Sequence, residues 1–151
     1  MKLAKALMLR ADHQNKIHEL KNRIINNVKV QEGEDFAENP IKLLEELNKT
    51  IDELEQLIKK INNTNSNTIF EKDTTLSDAI CTRDSIKRKR NILVSILNEA
   101  TIRHDRYSQS EVKFVTTVKI PELQKELDLL AKEYRELDIK IQEKNWTTEL
   151  K

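Results

Sequence analysis

The sequence predicts an all-α protein of four long helices, arranged as two similar hairpins that form a bundle with a small two-stranded β element. Gly occurs once and Pro twice among 151 residues, whereas charged residues make up 35% of the chain. This composition is typical of long helices. Two stretches also carry Leu and Ile at alternating steps of three and four residues, which is the spacing of one helical face.

The first and third predicted helices begin with the same pattern, Leu-x-x-Ala-(Leu/Ile)-x-x-Arg. The pattern runs from Leu3 to Arg10 and recurs from Leu76 to Arg83. The positions that the two copies have in common lie on one helical face, so each copy places a guanidinium at the end of an apolar row. We expect these helices to run from about residue 2 to 27 and from about residue 74 to 100.

The second and fourth helices are predicted to begin at a proline. Asn39 can cap the second helix, with Pro40 in its first turn, and Pro121 opens the fourth helix, which runs to about Asn145. Each carries an apolar row that we expect to be buried in a seam. The rows are Leu44, Leu47, Ile51, Leu54, Ile58 and Ile61, then Leu123, Leu127, Leu130, Tyr134, Leu137 and Ile141.

A short strand is predicted inside each half of the chain. Residues 28–32 and 111–118 alternate in polarity or are rich in β-branched side chains, a pattern that favours extended backbone. Each half then reads helix–strand–helix, over about residues 1–68 and 74–148, within a single domain. We infer a duplication in which the two strands pair at one end of the bundle. The free edges of such a ribbon invite strands from another subunit.

Charge and composition exclude several functional classes. The net charge is only +1, so no global field attracts nucleic acid or an anionic membrane. The basic stretch 87–90 has no interleaved aromatic residues for base stacking and is predicted to be a solvated helix face. A single Gly excludes glycine-rich phosphate loops. The three histidines lack the spacings of bundle or zinc metal sites, so we expect no metal and no cofactor. These observations favour a protein that is not an enzyme, without deciding the question.

The sequence also indicates a cytoplasmic location. No apolar run approaches the roughly 20 residues that span a bilayer, and the first residues lack the pattern of a signal peptide. The lone Cys81 fits a reducing compartment. We interpret this residue as a small thiol in the protein core.

Arg10 and Arg83 are the candidates for a ligand site. Each can pair with a nearby carboxylate, such as Asp12 or Asp84, or point its charged end into solvent. Alternatively, pseudo-symmetry can bring both guanidinia to one polar pocket, with Gln14 beside them, that holds a small anionic ligand. Pairing with a carboxylate is the favoured interpretation, since buried charges persist in proteins when they are paired.

The polar connector at residues 103–110 is a second candidate site. It contains Arg106, Tyr107 and Ser108, and varied side chains on a connecting loop often carry function. The favoured interpretation is that these groups pair with the acidic loop 32–38 and fix the register of the strands.

Four apolar side chains are predicted to contact another subunit. Three of them, Val112, Phe114 and Val118, lie in the second predicted strand. The fourth is Trp146, the only tryptophan, near the end of the chain. We expect it to dock as an apolar plug on the bundle or on a neighbouring copy.

Several stretches resemble a small bacterial family often named septicolysin. They include Lys29-Val30-Gln31-Glu32-Gly33, Asp105-Arg106-Tyr107-Ser108 and Asn145-Trp146-Thr147-Thr148-Glu149-Leu150. The resemblance covers nearly the whole chain and implies a membrane-active cytolysin. It supplies no catalytic residues.

The leading prediction is therefore a cytoplasmic structural or interaction protein that forms a homo-oligomer through its seams and strand edges. One alternative is a septicolysin-like cytolysin, which would have to open its helices toward lipid. A further alternative is a binding module for a small anionic ligand at Arg10 and Arg83. Nucleic acid is not an expected partner.

Overall fold

We describe a computed structural model of the chain, which covers residues 1–101 and 112–151. Within these residues the all-α class, with four long helices and a small two-stranded sheet, is confirmed. The helices are 25 to 28 residues long, so each extends about 38–42 Å. In chain order the elements are α1 (Leu3–Asn27), α2 (Pro40–Asn67), β1 (Ile69–Glu71), β2 (Thr74–Thr75), α3 (Leu76–Ala100) and α4 (Ile120–Thr147).

The chain divides into two compact units. The first comprises residues 1–77 together with 142–151, and the second comprises residues 78–141. The first unit contains α1, α2, both strands and the last turns of α4, whereas the second contains most of α3 and α4. One domain built from two similar halves stays a prediction.

In the first unit, α1 and α2 form an antiparallel hairpin. Apolar side chains fill the interface, and Leu20 and Ile61 are almost completely buried. Burial of such a side chain contributes about 1.5–3 kcal/mol relative to exposure. Three contacts between a basic and an acidic side chain cross the hairpin, and their order along one arm is reversed along the other, as expected for antiparallel packing. They are the ion pairs Lys16–Glu46 and Arg23–Glu38 and the contact of His13 with Glu53.

The start of α2 follows the predicted capping pattern. The Asn39 side-chain oxygen accepts hydrogen bonds from the amides of Ile41 at 3.0 Å and Lys42 at 3.4 Å. Pro40 is the first helical residue, where its missing N–H has no intrahelical role. The start of α2 could be predicted from Asn39 and Pro40 because a helix cap depends only on neighbouring residues.

The end of α2 passes through a stretch rich in Asn and Thr, residue types that commonly favour turns. The helix nevertheless continues to Asn67, and two threonine hydroxyls bond back to carbonyls of the preceding turn. Thr64 donates to the Lys60 carbonyl at 2.8 Å, and Thr68 donates to the Thr64 carbonyl at 2.7 Å. These side chains therefore act within the helical geometry here.

The buried row of α2 differs from the predicted seam. Ile61 is buried as expected, but Leu44 and Ile51 are 42% and 43% exposed. Their neighbours Leu43 and Thr50 are buried instead. Since α2 packs against α1, the row of Leu43 and Thr50 is buried in that contact. Leu44 and Ile51 of the predicted seam lie on the flank of the helix.

The predicted strand positions are wrong. Residues 28–32 and 112–118 lie outside every strand, and the remaining predicted strand position, 111, falls outside the described residues. The connection after α1 instead turns at Gly33, whose φ of +88° suits a residue without a Cβ. Alternating polarity favours extended backbone, but a strand also needs a partner that supplies ladder hydrogen bonds.

The sheet forms between α2 and α3. Strands β1 and β2 pair antiparallel, with Ile69 opposite Thr75, and Lys72 in the connecting turn has a φ of +46°. The amide of Leu76, the first residue of α3, donates to the Thr68 carbonyl at 2.8 Å. This junction joins the end of one long helix directly to the start of the next.

A second junction in the first unit repeats this hydrogen bonding. The amide of Leu3, the first residue of α1, donates to the Thr148 carbonyl at 2.9 Å. Lys2 lies opposite Glu149 in an isolated antiparallel bridge. The end of α4 thus meets the start of α1 as the end of α2 meets the start of α3.

Candidate functional site

Arg83, on α3, is held by two carboxylates of the second unit. Its guanidinium donates to Asp138 at 3.0 Å and to Asp84 at 2.9 and 3.0 Å. Partial burial works to lower the pKa of Arg83, but the hydrogen bonds to Asp84 and Asp138 outweigh it, so the pKa is raised. Arg83 therefore makes the carboxylate pairing that the sequence favoured, and Asp84 is one of the partners expected.

Arg10, on α1, is half-buried. Within residues 1–101 and 112–151 its guanidinium makes no hydrogen bond or ion pair. Gln14, one turn further along α1, is exposed. A ligand pocket shared by Arg10 and Arg83 stays a prediction.

The connector residues Arg106, Tyr107 and Ser108 lie outside the described residues. Cys81, which we expected in the core, is exposed on α3. The helical face that carries the buried Leu76 and Ala79 points away from this position, so the thiol faces solvent.

The predicted oligomer contacts are exposed in the single chain. Phe114 and Trp146 have 83% and 60% of their surface accessible. Val112 and Val118 are exposed as well, as is Val115 between them. Large apolar side chains are thus concentrated at residues 112–118, which we call the apolar segment.

A cleft of about 440 Å³ lies along the α1–α2 hairpin. Its apolar lining includes Leu9 of α1, Leu57 of α2 and Leu150 of the C-terminal tail. The tail reaches this position because the Leu150 amide donates to the Met1 carbonyl at 2.8 Å, and the Lys151 amide donates to the Thr64 hydroxyl at 2.9 Å. The volume lies in the range of small-molecule sites.

His13 and Glu53 connect α1 to α2 at the cleft. The Nδ1 of His13 lies 2.7 Å from the Leu9 carbonyl oxygen, so this nitrogen donates. The Nε2 lies 3.4 Å from the Glu53 carboxylate. The pair marks the end of the cleft opposite the tail.

One rim of the cleft is a row of polar side chains on α2. Asp52, Gln56 and Lys60 are spaced by four residues and line the cleft, so each lies beside the next along the helix. None of the three side chains forms a hydrogen bond or ion pair within the described part of the chain. The row therefore presents a negative charge, an amide and a positive charge in that order, all available to a ligand.

Sequence reasoning missed this cleft. Asp52, Gln56 and Lys60 are ordinary residues for an exposed helix face, and the four-residue spacing was the only local signal. The cleft also depends on the tail, which meets α1 and α2 only in the folded chain.

Comparison with known proteins places the chain in a family. The Family of unknown function (DUF6847) matches residues 10–150. The chain belongs to this family. The chain is also similar to a protein of known crystal structure, described as a functionally unknown conserved protein from Corynebacterium diphtheriae, to which it is 44% identical. The match covers 100% of this chain and 99% of that one, with a TM-score of 0.94. No curated protein matches the sequence.

The description of DUF6847 names no activity. Among the residues that the structure describes, no three His, Cys, Asp or Glu side chains are grouped as metal ligands would be. No described helix has both the length and the apolar character that crossing a bilayer requires.

Proposed function

We propose that this protein is a non-enzymatic structural or interaction protein of the cytoplasm that works as a homo-oligomer. The observation that carries this proposal is the exposure of the apolar segment. Phe114 and the adjacent Val115 are 83% and 78% exposed. Clusters of large apolar side chains in solvent mark interaction surfaces.

The proposed occupant of this surface is the same segment of a second copy. Residues 112–118 contain a single charge, at Lys113, and most of the other side chains are β-branched, a composition that favours extended backbone. Extended segments readily pair with another chain. About a two-fold axis, two identical segments can pair antiparallel and cover each other's apolar side chains.

Exposed apolar positions on the helices support a larger interface. Leu44 and Ile51 lie on the flank of α2 that α1 leaves uncovered, and Trp146 is exposed near the end of α4. Aromatic side chains are enriched at protein interfaces, because they bury a large area with few rotatable bonds.

Light scattering of the full chain tests the proposal. At micromolar concentration we expect a mass at least twice the 17.7 kDa of one chain. The double variant Phe114→Lys, Val115→Lys should shift the mass to that of one chain. The variant Leu129→Lys, at an exposed apolar position on α4, is the matched control and should leave the assembly intact. A wild-type mass of 17.7 kDa would overturn the proposal.

The septicolysin resemblance supports an alternative function, a membrane-active cytolysin. The helices would then have to open and turn their buried rows toward lipid. Dye release from liposomes, measured with and without a reductant because of Cys81, tests this alternative. Intact liposomes under both conditions would exclude it.

A small anionic ligand at Arg10 is a further alternative. The half-buried Arg10 guanidinium supports it, since it makes no ionic contact within the described residues. The two carboxylates already bound to Arg83 weigh against a pocket that needs both arginines. A thermal-shift experiment with inorganic phosphate should raise the wild-type midpoint, and the Arg10→Gln variant should lose the effect.

A further inference from the structure

The cleft along the α1–α2 hairpin offers both charges that a short peptide carries at its ends. Asp52 and Lys60 stand at the two ends of one rim, with Gln56 between them. None of the three side chains makes a hydrogen bond or ion pair with other described residues. An unpaired carboxylate, amide and ammonium beside an apolar trough form a complementary surface for a zwitterion with an apolar body.

We propose that this cleft binds a short, extended apolar peptide through its free termini. The peptide's ammonium group lies at Asp52, its carboxylate lies at Lys60, and the Gln56 amide pairs with a peptide group between them. Apolar side chains of the peptide enter the trough formed by Leu9 and Leu57. This binding site is independent of self-association through the apolar segment.

The spacing of the rim sets the length of the peptide. Residues four apart on a helix rise about 6 Å, so Asp52 and Lys60 lie about 12 Å apart along α2. An extended peptide spans about 3.3–3.6 Å per residue, so three residues cover about 10–11 Å. A tripeptide therefore brings both termini within reach of their partners, whereas a single amino acid reaches only one.

The ends of the cleft limit longer ligands. At one end the His13–Glu53 contact connects the two helices. Toward the other end, the tail lies along the hairpin through the bond from the Lys151 amide to the Thr64 hydroxyl. A ligand between these two connections is short, and one with free termini is favoured because blocked ends would leave the rim charges without partners.

Nuclear magnetic resonance titration of the full chain tests the proposal. The probe is the tripeptide Leu-Ala-Leu with free termini, compared with the same peptide acetylated, amidated, or both. We expect the Gln56 side-chain amide signals to shift, with a Kd below about 1 mM for the free peptide. Blocking either terminus should weaken binding about three- to tenfold.

Two variants assign each terminus to its partner. Asp52→Asn should remove the difference between the free and acetylated peptides, and Lys60→Gln should remove the difference between the free and amidated peptides. Both positions are exposed, so neither change should unfold the hairpin. Glu45→Gln and Lys42→Gln, on α2 away from the cleft, are the controls and should bind like wild type.

Three results would overturn the proposal. Absence of any shift at several millimolar peptide would show that the cleft does not bind it. Equal affinity for the free and doubly blocked peptides would show that the rim charges play no part. Tighter binding of the blocked peptide would instead assign the cleft to an internal segment of a protein partner.

Discussion

Lys2 and Glu149 face each other in an antiparallel bridge, and their side chains form an ion pair of 2.8 Å. The terminal ammonium of Met1 contacts the other oxygen of the same carboxylate at 2.9 Å. At the equivalent junction, a two-residue turn joins β1 to β2 covalently. Ionic contacts therefore add to the backbone hydrogen bonds at the junction where the two strands have no covalent connection.

Glu149→Gln should weaken this second junction. The variant loses both ionic contacts, and because they are exposed, the thermal midpoint should fall by no more than about 3 °C. Circular dichroism at low and high salt measures the change, which should shrink as salt screens the wild-type pairs. Glu45→Gln, at an exposed position on α2, is the control. An equal shift in both variants would contradict the assigned role of Glu149.

A circular permutant should fold. Linking Lys151 to Met1 through a short Gly-Ser segment and opening the chain between Lys72 and Asp73 exchanges the covalent junction for the ionic one. Each junction has an equivalent hydrogen bond from the first amide of a helix to a threonine carbonyl. We therefore expect the helical circular dichroism and the cooperative unfolding of the permutant to be close to those of wild type. A permutant opened inside α2, between Leu54 and Glu55, should lose cooperative unfolding and serves as the comparison.

Stability should fall as the pH drops below about 4.3. Hydrogen bonds from Arg23, Lys16 and Lys2 lower the pKa of Glu38, Glu46 and Glu149, respectively. A lowered folded-state pKa contributes stability above the unfolded value of about 4.3, and this contribution is lost as pH falls through the folded pKa.

Thermal midpoints between pH 6 and pH 2.5 measure this loss. The triple variant that replaces the three glutamates with Gln should be less stable at pH 6 and should show a flatter pH profile. A profile as steep as that of wild type would assign the acid sensitivity to other carboxylates.

Two isoleucines of the predicted seam should respond differently to truncation. Ile61 is buried, so Ile61→Ala should reduce the free energy of unfolding by about 2–4 kcal/mol. Ile51 lies on the exposed flank of α2, and Ile51→Ala should change it by no more than about 0.5 kcal/mol in the monomer. Urea denaturation of both variants measures the difference. Similar losses would show that Ile51 is covered in solution.

The helices could be predicted because their signals are local. The cap at Asn39 and the repeated pattern from Leu3 and Leu76 depend only on residues within one or two turns. The choice between Leu43 and Leu44 for the buried row could not be made in this way. It depends on which side of α2 the first helix covers, and that contact lies far away in sequence.

The strands and the cleft could not be predicted from the sequence because both depend on contacts between residues that are distant along the chain. Residues 28–32 have the expected alternation but no ladder partner, whereas the short β1–β2 turn at Lys72 lacks the Asn-Gly or Asp-Gly signal of a tight hairpin. For the cleft, the spacing of four residues shows only that Asp52, Gln56 and Lys60 are successive neighbours on the surface of α2. Only the folded chain brings Leu150 beside them.

The hydrogen bond from the Leu3 amide to Thr148 also bears on local opening. Amides in the first turn of a helix usually lack an acceptor, and residues this close to a chain end commonly fray and exchange their amide protons readily with solvent. Here the Leu3 amide has an acceptor in the Thr148 carbonyl, just as the Leu76 amide at the start of α3 has one in the Thr68 carbonyl. Deuterium uptake at the amides of Leu3 and Leu76 should therefore be slow. Leu3 is then protected from fraying although it lies only two residues from the start of the chain.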